Sequence, residues 1–332
     1  MATFTSTSTG ISQRTNVYAE ARMLKYAAVI RVLDKFGLVR PIPKNKSSTI
    51  TFRRPVPFTA DTVPLVEGVT PQSSTFTYVD VTVSLRQYGR VVMVTDVIAD
   101  THEDPVLNDV TRQVGDNIGR TQEALLWGVL RAGTNVFFSN GAVRTAVNTT
   151  ITLNKQRRIT RALNAQKAMK ITDVLDGSPM IKTQPIEAAY IGIAHTDLEA
   201  DIRNLTGFTP VAQYGSRKPI CPQEIGSVED VRYILSADLP SFPDAGGAKL
   251  TMFSTTGTLA DVYPVLYFGQ EAYGIVPLRG MDAIEPTIIP VGTRTKDDPL
   301  GQRGYAGAKF YFAAVRLNEV WMARLEVAVT DL

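Results

Sequence analysis

Apolar positions along the chain change their period several times, and each change marks an element. Between Asn16 and Phe36 the residues Met23, Tyr26, Ala27, Ile30 and Leu33 recur at helical spacing, and Gly37 follows as a natural stop. Pro41 and Pro43 break any continuation. This first segment therefore predicts an arm: a poorly ordered Ser/Thr-rich lead, one helix, and an extended exit.

Residues 49–96 change to a period of two. In Thr77–Leu85 the residues Val79, Val81, Val83 and Leu85 fall on one face, a strand signal. Thr49–Arg53 and Thr62–Val66, the latter carrying Val63, Leu65 and Val66, are its expected ascending partners. Pro55, Pro57 and Pro64 confine that side to an edge. Glu67 opens a polar turn through Pro71. The product is a long two-stranded hairpin with an apolar face, marginal by itself in water and in need of a partner.

Asp104-Pro105 combines a capping residue with proline at the first helical position, which predicts a helix to Ala132 stopping at Gly133. Val106, Val110, Val114, Ile118, Leu125 and Val129 form its apolar stripe. At 1.5 Å per residue such a helix is roughly 40 Å long, a scaffold rather than one wall of a pocket. A shorter helix is predicted over Lys155–Lys170 with Asn154 as cap. Its buried side is Ile159, Ala162, Leu163, Ala165 and Met169, and its other side is Lys155, Arg157, Arg158, Arg161, Lys167 and Lys170.

Beyond residue 185 short strands dominate: 189–193, 231–235, 249–253 and 262–268, then 309–317 and 321–329. Thr196-Asp197-Leu198-Glu199 reads as a capping box opening a short helix to Leu205, and 241–247 reads as an exposed loop. Strands and helices that do not alternate regularly place the chain in the α+β class.

Composition narrows the function. With 332 residues, 24 Gly, 19 Pro and 20% charged residues, the chain is a globular protein of about two domains. It has no apolar run of membrane-spanning length, and no membrane partner is expected. The N-terminus lacks a secretory pattern, and one cysteine, Cys221, provides no disulfide framework, so a reducing cytoplasm is expected. Charge is uneven. Residues 1–60 hold ten Lys or Arg against Glu20 and Asp34, and residues 151–184 hold seven against two acids. Residues 185–300 reverse this, with eight against fifteen. A basic side could face a polyanion by non-specific phosphate contact, with the helix around 155–170 as the candidate. The alternative is a set of solvated faces and ion pairs.

Candidate chemistry is sparse. The nucleotide-binding, nucleophile-elbow and zinc-protease motifs are missing. Adjacent residues such as His102-Glu103-Asp104 point apart on regular structure, His195 stands at a strand-to-helix corner beside Asp197, and Asp297-Asp298 falls far short of a calcium loop. One Cys and two His cannot complete the usual zinc site. No enzyme activity, catalytic residue, metal or cofactor is expected. A metal-dependent hydrolase remains a remote alternative.

The order arm, long hairpin, long helix, strand-rich region and closing strands resembles the Hong Kong 97 fold of tailed-phage major capsid proteins. Particular stretches bring it closer to the capsid family of Enquatrovirus-type podoviruses: 65–71, 83–89, 195–204, 223–226 with 231–234, and 298–304 leading into Lys309-Phe310. The resemblance spans about residues 10–330, with Gln223 standing where Gly is more usual. It implies an N-terminal arm at 1–48, an extended loop at 49–96, a peripheral domain at 97–184 with 301–332 whose spine helix is 105–132, and an axial domain at 185–300. It implies self-assembly into pentamers and hexamers of an icosahedral shell around double-stranded DNA in the host cytoplasm. Scaffolding, portal and decoration proteins are the further partners it suggests. A nanocompartment of the same fold, enclosing protein cargo, is the alternative.

Overall fold

The computed structural model describes residues 31–43, 45–97, 106–175, 183–215, 217–279, 284–294, 296 and 298–332. In chain order the strands are β1 (Leu38–Val39), β2 (Ile42–Pro43), β3 (Thr49–Pro55), β4 (Tyr78–Ser84) and β5 (Arg86–Thr95), followed by helix α1 (Val106–Arg131) and β6 (Val136–Phe138). Helix α2 (Leu153–Ala165), β7 (Ile171–Leu175), β8 (Thr183–Ala194) and α3 (Glu199–Arg203) come next. Then come β9 (Phe208–Pro210), β10 (Glu224–Val228), β11 (Val231–Leu235), β12 (Tyr263–Phe268), β13 (Tyr273–Arg279), β14 (Ile284–Ile289), β15 (Arg303–Arg316) and β16 (Met322–Val327).

Two sheets organise the body. In the smaller one β15, fourteen residues long, is the central strand. It pairs antiparallel with β5, β13 and β14. β1 and β2 add to β13 in parallel. The larger sheet runs β6-β16-β12-β8-β11-β10-β9, with β7 also on β8. The sheets divide the chain at other points than residues 184 and 300: β6, β7 and the closing β16 join the larger sheet, whereas β13 and β14 belong to the smaller. Strand pairing decides this, since β16 is paired with β12 through six consecutive positions.

Helix α1 is the scaffold its spacing predicts. Val114 and Ile118 are buried, and Val110 and Leu125 pack partly against the same core. Val129 is half-buried, and the side chain of Val106 lies outside the described residues, as do Asp104 and Pro105. Leu126, Trp127 and Leu130, which the stripe read from the sequence omits, are at least as deeply buried as Val114. The Trp127 indole N–H reaches the carbonyl of Pro240 at 3.3 Å.

Several local expectations need correction. Residues 16–30 lie outside the described residues, but the helix does not reach Phe36. Leu33–Lys35 is a single 3-10 turn whose Val32 and Leu33 are sunk into the body. Gly37 is not a helix stop. A Cβ there would sit 2.6 Å from the Tyr273 ring, so the residue is small because β13 passes against it. Thr62–Val66 forms no strand, because prolines at 55, 57 and 64 interrupt the donor pattern. α2 starts at Leu153 after Thr152, placing Asn154 inside it. It ends at Ala165, so Lys167, at φ 54°, and Lys170 lie beyond the helix, and Met169 is exposed. The capping box is replaced by a 3-10 turn in which His195 Nδ1 accepts the Asp197 N–H, while Glu199 pairs with Arg203. Residues 249–253 make a single isolated bridge, Met252 to Thr330, in place of a strand.

Candidate assembly surfaces

β3 and β4 pair antiparallel from Thr49–Ser84 to Pro55–Tyr78, and a further backbone bond joins Val56 N–H to Thr77 O at 3.0 Å. The register places Ile50 opposite Val83 and Phe52 opposite Val81, the apolar face expected from alternation. Part of that face is covered by the chain itself. Ile50, Phe52, Val83 and Leu85 pack on buried Ile42, Val276 and Ala313, which corrects the expectation that the whole face awaits a partner. Leu85 is the break between β4 and β5, and its N–H bonds to Ser48 O at 2.7 Å.

The distal half differs. Residues 56–77 carry no strand or helix, are exposed throughout, and close the hairpin beyond its outer Pro55–Tyr78 pair. Val63 is 82% exposed, Leu65 78% and Val66 67%, and Phe58, Val69, Phe76 and Val79 are exposed as well. Phe58, Phe76 and Tyr78 form a string of rings, with centroids 5.9 and 4.6 Å apart. Glu67 is exposed at the turn. Such a run of large apolar side chains exceeds the scattered exposure of an ordinary surface and marks an interaction site. Two clefts of about 470 Å³ each flank the hairpin base. One lies towards α1 at Leu125 and Val129, the other towards Leu38 and Trp321.

The basic residues of the α2 region separate into two groups. Arg157 is bonded to Glu229, and Lys170 to Asp230 at 2.9 Å, so these charges are compensated within the chain. Arg158 lies over the Phe137 ring at 5.5 Å, and with Arg161 it lines an open cleft of about 520 Å³ between α2 and β6. Neither arginine makes an ion pair among the described residues. Lys155 is half-buried and Lys167 exposed. The sequence missed Gln156, which is fully buried. Its side-chain amide donates to Val228 O, and its carbonyl accepts from the Tyr233 hydroxyl.

The residues weighed for chemistry do not converge. His195 is occupied as a cap, and Tyr263 donates to Asp197 at 2.7 Å. Cys221 is buried, and burial pushes its thiol pKa up, away from the reactive thiolate. Asp298 accepts the Arg303 N–H at 2.8 Å. His102 and Asp297 lie outside the described residues. Among the described residues no group of three His, Cys, Asp or Glu is placed to hold a metal ion.

A family described as "Phage capsid protein" matches residues 78–325. The chain belongs to this family. As a capsid protein it is a structural component of the virion shell rather than an enzyme, and its architecture is the Hong Kong 97 type. Solved structures carry the same fold at low identity. The capsid of Ralstonia phage GP4 is similar at TM-score 0.66 and 13% identity, over 88% of this chain and 87% of that one. The cyanophage Pam1 capsid asymmetric unit is similar at 0.60 and 14%, over 87% of both chains. The holo-SrpI encapsulin complex from Synechococcus elongatus is similar at 0.52 and 13%, over 89% and 86%. No curated protein matches the sequence. The capsid protein thus offers an exposed apolar loop, a scaffold helix and a basic cleft, and among its described residues no constellation for catalysis.

Proposed function

We propose that copies of this capsid protein join as pentamers and hexamers and close into an icosahedral head around double-stranded DNA, assembled in the host cytoplasm. The observation that carries the reading is the loop 56–77, whose large apolar side chains stand exposed on their own subunit. Burying them on a second copy gives a heterologous contact, which makes rings, and obligate interfaces of this kind commonly exceed about 2,000 Å². In this reading residues 1–48 act as the arm and 49–96 as the extended loop. The larger sheet surrounds the local symmetry axes, and the smaller sheet with α1 forms the periphery. The assignment to Enquatrovirus-type podoviruses rests on the sequence stretches alone.

Arg158 and Arg161, with Lys155 and Lys167, are assigned to the inner surface, where they neutralise DNA phosphates without reading sequence. Scaffolding, portal and decoration proteins are proposed as further partners on the resemblance alone. Electron microscopy of the expressed chain, alone and with a scaffolding partner, tests the reading. Closed shells containing nucleic acid support it. Closed shells filled with protein favour the nanocompartment alternative, and a monodisperse monomer under both conditions overturns both.

A further inference from the structure

Glu123, in the middle of α1, is 1% exposed, yet it carries a carboxyl group. Its Oε1 accepts the backbone N–H groups of Val32 at 3.3 Å and Leu33 at 3.1 Å, and its Oε2 lies 3.3 Å from the Leu33 nitrogen. On the other side of the same turn the Tyr273 hydroxyl of β13 donates to Leu33 O. The 3-10 turn at 33–35 is therefore gripped at both polarities of its backbone. The segment 32–36 puts Val32, Leu33 and Phe36 in the main core.

The grip is electrostatically uneasy. The charged groups facing Glu123 from the turn are Arg31 and Asp34, which pair with each other at 2.8 Å, and the facing group from β13 is Tyr273. Among the described residues Arg31 Nε and Asp34 Oδ1 are buried with no hydrogen-bond partner. From β15, Arg316 is turned away to Glu319 and the Val129 carbonyl, and the β5 cations Arg86 and Arg90 are exposed. Lys35 acts electrostatically on the Cys221 thiol. No cation is bonded to Glu123 itself among the described residues, so an ionised carboxylate is held there by two amides against the cost of its burial.

We propose that Glu123 is a proton-operated latch: the neutral acid holds the segment 32–36 on α1, and ionisation loosens it. A neutral acid still accepts both N–H groups through Oε1 while shedding the charge. Burial, with Asp34 adding to it, raises the pKa from 4.5 to about 7 despite the opposing amide bonds and Arg31. A carboxyl raised in the closed state stabilises that state fully below the open-state value near 4.5. That stability is lost as pH rises towards about 7 and changes no further above it. At neutral pH the segment is near its loosest, suited to being reset when subunits meet.

Hydrogen exchange of the Val32–Phe36 amides in the full chain tests the latch, taken as the ratio of wild type to Glu123→Gln at each pH so that intrinsic rates cancel. Between about pH 4.5 and about pH 7 the ratio should climb by up to roughly tenfold per unit and then level off. A ratio independent of pH, or one that falls, overturns the proposal. If Glu123→Gln does not fold, wild-type exchange of the same amides normalised to those of Tyr263–Phe268 must show the same rise. A flat normalised profile overturns it equally.

Discussion

The carboxylate of Glu326 is fully buried and receives the Arg144 guanidinium at both of its oxygens, 2.7 Å on each side. Arg324 adds a second cation at 2.9 Å, and the centroid of the Phe242 ring lies 3.7 Å from the Arg144 guanidinium carbon. Hydrogen bonding to Glu326 raises the Arg144 pKa, whereas desolvation lowers that of Arg324, so the two arginines are unequal partners of one acid. This cluster ties the closing strand β16 to the turn at 144–146, far along the chain. Replacing Glu326 by Ala strands two arginines beside an apolar sheet. The expected loss is about 3–5 kcal/mol, the range for breaking a buried pair by removing one member. Urea unfolding of the unassembled subunit reads it directly.

The exposed loop leads to the opposite expectation. Leu65→Asp or Val66→Asp changes a side chain that touches little of its own subunit, so stability of the free subunit should shift by less than about 0.5 kcal/mol. Assembly should fail, because each copy then places a carboxylate in an apolar contact. Sedimentation velocity together with urea unfolding separates the two effects. A variant that assembles normally would remove the loop from the interface.

Gly246 is a packing constraint rather than a turn requirement. A Cβ at this position would lie 2.3 Å from Val147 O and 2.7 Å from Ala260 O, both backbone atoms that cannot rotate away. The neighbouring bonds Gly246 N–H to Ala260 O and Gly247 N–H to Val147 O fix the approach. Gly246→Ala should therefore cost about 1–3 kcal/mol as an overpacked site. A fall in the thermal midpoint of the free subunit is the readout.

The basic region yields a differential test. Removing Arg158 and Arg161 together should weaken DNA binding by unassembled subunits. The slope of log affinity against log salt should become shallower by about 0.9 for each phosphate that is no longer neutralised. Arg157→Ala should change that slope little, since Glu229 already holds this charge. Equal effects of the two changes would place the DNA-binding surface elsewhere.

How far the sequence was legible depended on whether the force acting was local. Period-two alternation in 79–85 and the long apolar stripe of α1 survive in the structure because Val83 and Leu85 in the one, and a whole face of the other, meet buried apolar residues. Val231–Leu235 is a strand over the residues read from the sequence, because a fully buried run bounded by turns has few alternatives. The end of the first segment is not legible in the sequence, since the fate of Leu33 is decided by Glu123 and Tyr273, 90 and 240 residues away. Residues 62–66 looked like a strand by composition, but a strand needs a partner and prolines interrupt this one. The half-covered hairpin face could not be foreseen either, because Ile42, Val276 and Ala313 meet beneath it only in three dimensions. Among the basic residues, Arg157 and Lys170 were indistinguishable from Arg158 and Arg161 by type. Their separation came from Glu229 and Asp230, which strand pairing brings alongside.

The claim on which the rest depends is that loop 56–77 is completed by another copy. Hydrogen exchange of residues 56–77, measured in the free subunit and again in purified particles, addresses it most directly. The loop should exchange rapidly in the subunit and become strongly protected in the particle, while the β12 amides change little. Equal, rapid exchange in both states would contradict the account.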